Sequence, residues 1–185
     1  MRVIVFIMFM FMNVLVSGQE KIEYQNKPLK RMLSREGISV FSQISELDIT
    51  DSLRRKYRIQ GKFFEISTDE NRYKYIYTGR VNSCRAGGCK IPGETPGDEA
   101  SEYFDYFILF DRTKSVQAVK VFNYQATHGY EITSRGWLKQ FIGYDGSQSL
   151  EVSKNIDAIS GATISVRAIT ADVEIKTEIL KELKL

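Results

Sequence analysis

The chain has 185 residues, 43% of them hydrophobic and 26% charged, with 26 Lys+Arg against 23 Asp+Glu. That length suits one domain with a small extension, and that apolar share builds a core, which excludes full-length disorder. The net charge of +3 comes without a basic run, so no nucleic acid is expected, while two cysteines and one histidine exclude a disulfide-dense miniprotein, a four-cysteine zinc site and a multi-histidine metal centre.

The first residues predict an export signal. Arg2 is followed by an apolar stretch from Val3 to Val16, interrupted by Asn13, and then by the small residues Ser17 and Gly18. A short positive start, an apolar stretch and a small-residue exit describe a secretory signal over residues 1–18. The stretch is shorter than the roughly 20 apolar residues of a membrane-spanning helix. An uncleaved membrane anchor and a buried N-terminal helix remain as alternatives. Cleavage near Gly18–Gln19 places the mature chain outside the cytoplasm, in the periplasm, where disulfides persist.

Residues 19–60 read as an N-terminal lead-in. It carries a short helix around Leu29–Arg35 closed by Gly37, then strand and turn across Ile38–Ile49. Residues 61–185 read as the main domain. Lys62–Ile66 and Tyr73–Val81 are rich in aromatic and β-branched residues and flank the turn formers 67–71, which predicts an antiparallel hairpin. A Gly/Pro-rich loop runs from Asn82 to about Glu99. A second hairpin joins Tyr103–Phe110 to Val116–Tyr124 through the turn 111–114. A short amphipathic helix covers Ser134–Phe141 and stops at Gly143. In the last segment Val166, Ile169, Val173, Leu180 and Leu183 share one helical face. The fold class is α+β: antiparallel hairpins forming a sheet packed by helices, the last of them C-terminal.

The segment before that last helix carries the chemistry. Asp157-Ala158-Ile159-Ser160-Gly161-Ala162-Thr163 runs from an extended stretch into a Ser-Gly turn and a helix start. First-turn amides lack intrahelical acceptors and lie at the positive end of the helix dipole, so a phosphate placed there finds donors and a favourable field. Gly161 admits close backbone approach, and Thr163 adds a hydroxyl. On spacing alone, Ser160, Thr163 or Ser165 is equally a plain N-cap.

This string resembles the flavinylation motif of FMN-binding domains, Asp-x-x-(Ser/Thr)-Gly-Ala-Thr. Those domains occur in the covalent-flavin subunits of sodium-pumping NADH:quinone reductase and Rnf complexes, and in small exported flavoproteins. The resemblance implies FMN joined by a phosphoester to Thr163, attached by a dedicated Mg-dependent FMN transferase that recognises Asp157 and Ser160. It also implies an electron carrier, not an enzyme, serving a redox partner such as a membrane electron-transfer complex. Upstream, Thr127-His128-Gly129-Tyr130-Glu131 through Trp137 to Phe141-Ile142-Gly143 is similar to the family's His-x-Glu-Thr-Pro-Gly stretch in order. It departs in spacing, with two residues between His128 and Glu131 and no proline. Gly93-Glu94-Thr95-Pro96-Gly97 carries the Glu-Thr-Pro-Gly letters but precedes the second hairpin and lacks the histidine.

His128, Glu131, Ser165 and Trp137 thus join Asp157, Ser160, Gly161, Ala162 and Thr163 as candidate cofactor-binding residues. His128 is equally a structural hydrogen-bonder at a strand end, and Trp137 equally a core aromatic. Cys84 and Cys89 most simply form a disulfide closing a Gly-rich loop; a redox role is the alternative. Two other functions stay open: a non-covalent flavin or small-ligand module, and a disulfide-pinned exported interaction protein without cofactor.

Overall fold

Five antiparallel strands form one sheet whose spatial order follows the sequence. In the computed structural model, which describes residues 21–39, 43–68, 72–85 and 101–183, they are β1 Ile44–Glu46, β2 Gly61–Ile66, β3 Tyr75–Arg85, β4 Ser101–Phe110 and β5 Val116–Gln125. Four helices accompany them: α1 Lys27–Arg35, α2 Asp51–Lys56, α3 Arg135–Leu138 and α4 Thr163–Glu182. The export signal, Cys89 and most of the Gly/Pro-rich loop lie outside the described residues.

Each hairpin forms where turn chemistry meets strand patterning. Between β4 and β5 the Asp111 carboxylate accepts from the amides of Thr113 (2.8 Å) and Ser115 (3.0 Å), and Lys114 takes φ +64°. That local Asx geometry sets Phe110 opposite Val116. Successive residues then point to opposite faces. Phe104, Tyr106, Ile108 and Phe110 face one helix, while Phe107 and Leu109 face the other way.

The two faces are covered by helices from opposite ends of the chain. α4 lays Val166, Ile169, Val173 and Leu180, all fully buried, across the first face. Each such side chain stabilises the packing by about 1.5–3 kcal/mol. On the second face α1 buries Leu29 and Leu33, four residues apart, against Ile66, Ile76, Phe107 and Leu109. Asn26 caps α1 by accepting from the Leu29 amide at 2.9 Å, and Gly37 at φ +73° follows its end. The lead-in therefore packs on the same sheet as the rest, with β1 paired to β2. The hexapeptide α2, which the sequence reading did not anticipate, buries none of its residues. It carries no apolar periodicity to reveal it.

Polar contacts fix α4 in register over the sheet. The Tyr106 hydroxyl donates to Asp172 at 2.5 Å, and Asp172 also accepts from the buried Lys176 ammonium at 2.6 Å. At the other end of the helix the Lys114 ammonium donates to the Leu183 carbonyl at 2.9 Å, a cation at the negative pole of the helix. Tyr77 fills the space over two strand glycines; a Cβ on Gly61 or Gly79 would sit 2.6 or 2.2 Å from its hydroxyl. On the opposite face Asp105 holds Arg80 through two hydrogen bonds of 2.7 and 3.0 Å and accepts from Asn123 at 2.9 Å.

Three buried phenols, those of Tyr77, Tyr106 and Tyr144, predict the alkaline limit of the fold. Burial pushes the Tyr77 and Tyr106 hydroxyls well above their ordinary range, helped by the Asp172 charge, and pushes Tyr144 up to about 12. Unfolded tyrosines ionise near pH 10. Above that pH the unfolded chain holds fewer protons than the folded one, so stability falls as pH rises. Their contribution is intact below about pH 10 and declines above it. A pH titration followed by phenolate absorbance should show these groups ionising together with loss of far-ultraviolet circular dichroism, not before it.

Candidate functional site

The segment between α3 and α4 is shaped by backbone hydrogen bonds that the sequence pattern does not advertise. Asn155 accepts from the Glu151 amide at 2.7 Å and donates to the Ser149 carbonyl at 2.9 Å. Ser153 takes φ +70°, and its amide donates to the Ile156 carbonyl at 2.7 Å. The result is a tight loop anchored by the buried Ile156. Asp157 follows and is clamped on both backbone groups. Its amide donates to the Gln140 side chain at 2.7 Å, and its carbonyl accepts from the Trp137 indole at 2.9 Å. The Asp157 side chain is exposed.

The chain then turns into the helix. The Ala162 amide donates to the Ile159 carbonyl at 3.1 Å across Ser160-Gly161, with Gly161 at φ +79°. A positive φ at the third position of such a turn is the reason for glycine there. Ala162 is buried and occupies the N-cap, without a capping side chain. The plain N-cap reading of Ser160, Thr163 and Ser165 is thereby corrected: Ser160 lies in the turn, and Thr163 and Ser165 lie inside the helix. The amides of Thr163, Ile164 and Ser165 have no acceptor among the described residues. Three donors thus stand free at the positive end of a 20-residue helix.

Thr163 is exposed and lines a cleft of about 410 Å3 between α4 and the preceding loop. Leu150, Glu151, Val152, Ser153 and Ala158 line it from the loop; Thr163, Arg167, Thr170, Ala171 and Glu174 line it from the helix. Its volume lies in the range of small-molecule sites, and its lining mixes aliphatic surface with a few polar groups. The Thr163 hydroxyl and the Arg167 guanidinium in this lining are donors that suit a phosphate, and the free amides stand at the start of the same helix. The apolar loop residues suit a planar ring. A second cleft, of about 360 Å3, shares Leu150 but is lined by Gln140, Ile142, Tyr144 and Asn155 and does not include Thr163.

The histidine stretch packs on a different flank of the same helix. The Tyr124 hydroxyl donates to the His128 carbonyl at 2.5 Å and lies 3.0 Å from the Ser165 hydroxyl. Burial raises the Tyr124 phenol above its ordinary range, partly offset by the Ser165 hydrogen bond. Gly129, at φ +91°, lets the backbone pass against Ser165. Thr163 and Ser165 point about 160° apart around the helix. The structure therefore joins the two motifs through Ser165 and not around Thr163. The side chains of His128 and Glu131 are exposed and make no hydrogen bond to a described residue. Trp137 supports the Asp157 backbone and meets the Phe141 ring edge-on at 5.5 Å.

Four residues of this arrangement escaped the sequence reading: Tyr124, Gln140, Asn155 and Arg167. The first three act through backbone groups distant in sequence or hidden in a loop. Arg167 did carry a signal, since it stands one helical turn after Thr163. Cys84 contributes backbone to β3, and its proposed partner Cys89 falls outside the described residues.

Comparison with known protein families matches residues 90–175 to the FMN-binding domain. No curated protein matches the chain.

Gly129 tests the joint between the two motifs. A Cβ there would stand 2.7 Å from the Ser165 hydroxyl and 2.9 Å from that of Tyr124, on a backbone with φ +91°. Gly129→Ala should lower the free energy of unfolding by about 1–3 kcal/mol in urea titrations. Gly143→Ala, whose position has positive φ but open space around it, should cost less.

Proposed function

Because residues 90–175 carry an FMN-binding domain, we propose that FMN is held through a phosphoester on Thr163 and that the loaded protein carries electrons outside the cytoplasm. FMN is the cofactor of this domain, and when bound it supplies the redox chemistry. The chain itself supplies attachment, orientation and polarity. The observation that carries the reading is Thr163 itself, exposed at the first position of an uncapped helix and lining the larger cleft.

Attachment is a substitution at phosphorus. The Thr163 Oγ forms a bond to the phosphorus of an activated FMN donor as the bond to the donor's leaving group breaks, and the hydroxyl proton passes to the transferase. Nothing in the vicinity of Thr163 need act as a base, because the Mg-dependent FMN transferase provides it. This chain presents the hydroxyl on a rigid helix start and leaves Asp157 and Ser160 exposed for recognition. The three free amides would hold the phosphate oxygens. The apolar loop residues Leu150, Val152 and Ala158 would cover the ring. Export accounts for the covalent bond, since a dissociable cofactor is diluted away outside the cell. A disulfide between Cys84 and Cys89 closes a short loop and contributes about 2 kcal/mol by the chain-entropy relation.

The test is co-expression of the full chain with an FMN transferase, followed by denaturing electrophoresis under ultraviolet light. The wild type should give a fluorescent band, and Thr163→Ala should give none. Flavin that leaves on denaturation would instead mark a non-covalent module. A band retained in Thr163→Ala would place the attachment elsewhere. The double variant Cys84→Ser/Cys89→Ser should load flavin as the wild type does, by absorbance of the purified protein. Loss of flavin with an intact fold would give the cysteines a part in the site.

A further inference from the structure

The geometry points to Arg167 as the charge partner of the phosphate carried on Thr163. This rests on the attachment proposed above and adds to it a binding residue outside the seven-residue motif. Thr163 and Arg167 are four residues apart on α4 and line the same cleft. Residues at that spacing share a helix face, and helical side chains lean toward the N-terminus, so an arginine at this position covers the threonine one turn before it.

The charges around the cleft leave this arginine for a ligand. Arg167 is the one cation among the described residues that line it. The two carboxylates there are already engaged. Glu151 pairs with Lys154, which holds its carboxyl below the usual range, and Glu174 accepts from the Leu150 amide at 3.3 Å. Arg167 is exposed, with no ion pair or hydrogen bond to a described residue. The first turn of α4 holds no acidic residue. Helices usually place acids at this end, because the dipole is positive there. Here the sequence does the reverse and adds a guanidinium to three free amides. That grouping is mildly unfavourable alone and favourable around an anion. A phosphodiester supplies one negative charge and two unesterified oxygens, which match the two-pronged guanidinium better than a lysine ammonium.

The experiment compares wild type, Arg167→Gln, Arg167→Lys and Thr163→Ala as full chains, each expressed with and without the FMN transferase. Thermal melting and phosphorus NMR are read alongside covalent flavin content. Without flavin, Arg167→Gln should melt no lower than the wild type, because removing a cation near the positive helix end costs nothing. With flavin, the wild type should gain melting temperature, and Arg167→Gln should lose at least half of that gain. Its phosphorus resonance should move toward that of a free phosphodiester, and Arg167→Lys should fall between. If Arg167→Gln resists loading, Arg167→Lys makes the same comparison: a reduced gain supports the pairing, and a full gain overturns it. An Arg167→Gln protein with wild-type gain and an unmoved resonance overturns the role of Arg167 while attachment at Thr163 stands. Covalent flavin in Thr163→Ala overturns the attachment and this inference together.

Discussion

The placement of α4 on the sheet governs everything at the candidate site. The apolar stripe Val166, Ile169, Val173 and Leu180 supplies the attraction, but a stripe alone slides. Polar contacts remove that freedom. Tyr106 donates to Asp172 in the middle of the helix, Tyr124 meets Ser165 in its first turn, and Lys114 holds the Leu183 carbonyl past its end. Two of these anchors are tyrosines on adjacent strands, so sheet register and helix register are tied together. A shift of one residue in β4 against β5 would turn these side chains to the other face. The start of α4, and with it Thr163, is thus fixed by interactions up to 69 residues apart in sequence.

The loop before the helix completes the placement from the other side. Trp137 and Gln140 take both backbone groups of Asp157, so the motif enters its turn from a fixed point. Asp157 contributes only backbone atoms to this clamp. The side chains of Asp157, Ser160 and Thr163 are left exposed. An arrangement that spends backbone groups on support and leaves side chains outward suits a segment that another protein must read. It also explains why Ala162 sits at the N-cap. A serine or aspartate there would satisfy a first-turn amide internally and withdraw a donor from any bound anion.

Local chemistry was legible in the sequence, and assembly was not. The β4–β5 hairpin follows from Asp111 and alternating aromatic strands, and α4 from a repeat that places its apolar residues on one face. The turn at Ser160-Gly161 was visible as well, but spacing alone left a side-chain cap open, and the uncapped start came from the structure. The sequence did not reveal that α1 covers the second face, because Leu29 and Leu33 make too short a stripe to specify a partner. Nor did it reveal the cleft. The cleft depends on Asn155 bonding both Glu151 and Ser149 and on the positive φ of Ser153, and no periodicity records either. Chain order suggested that the His128 stretch lies near the motif. That much holds, yet the contact runs through Ser165 on a different flank from Thr163.

The openness of the cleft bears on why a covalent bond is proposed at all. Six of its ten lining residues, Glu151, Ser153, Ala158, Thr163, Arg167 and Ala171, are exposed. Tight reversible binding of a cofactor usually requires burial of most of its surface. A wall of this kind covers one side of a ring and leaves the rest in water, so contact area alone gives weak retention. A tether removes that requirement, because the ring then samples its cleft at a high effective concentration however weak each contact is. The same openness would leave an edge of a tethered cofactor available to the redox partner proposed above. Retention and access, which compete in an enclosed pocket, would then fall to different parts of the molecule. The proposed ester at one helix residue would answer the first, and the exposed loop wall the second.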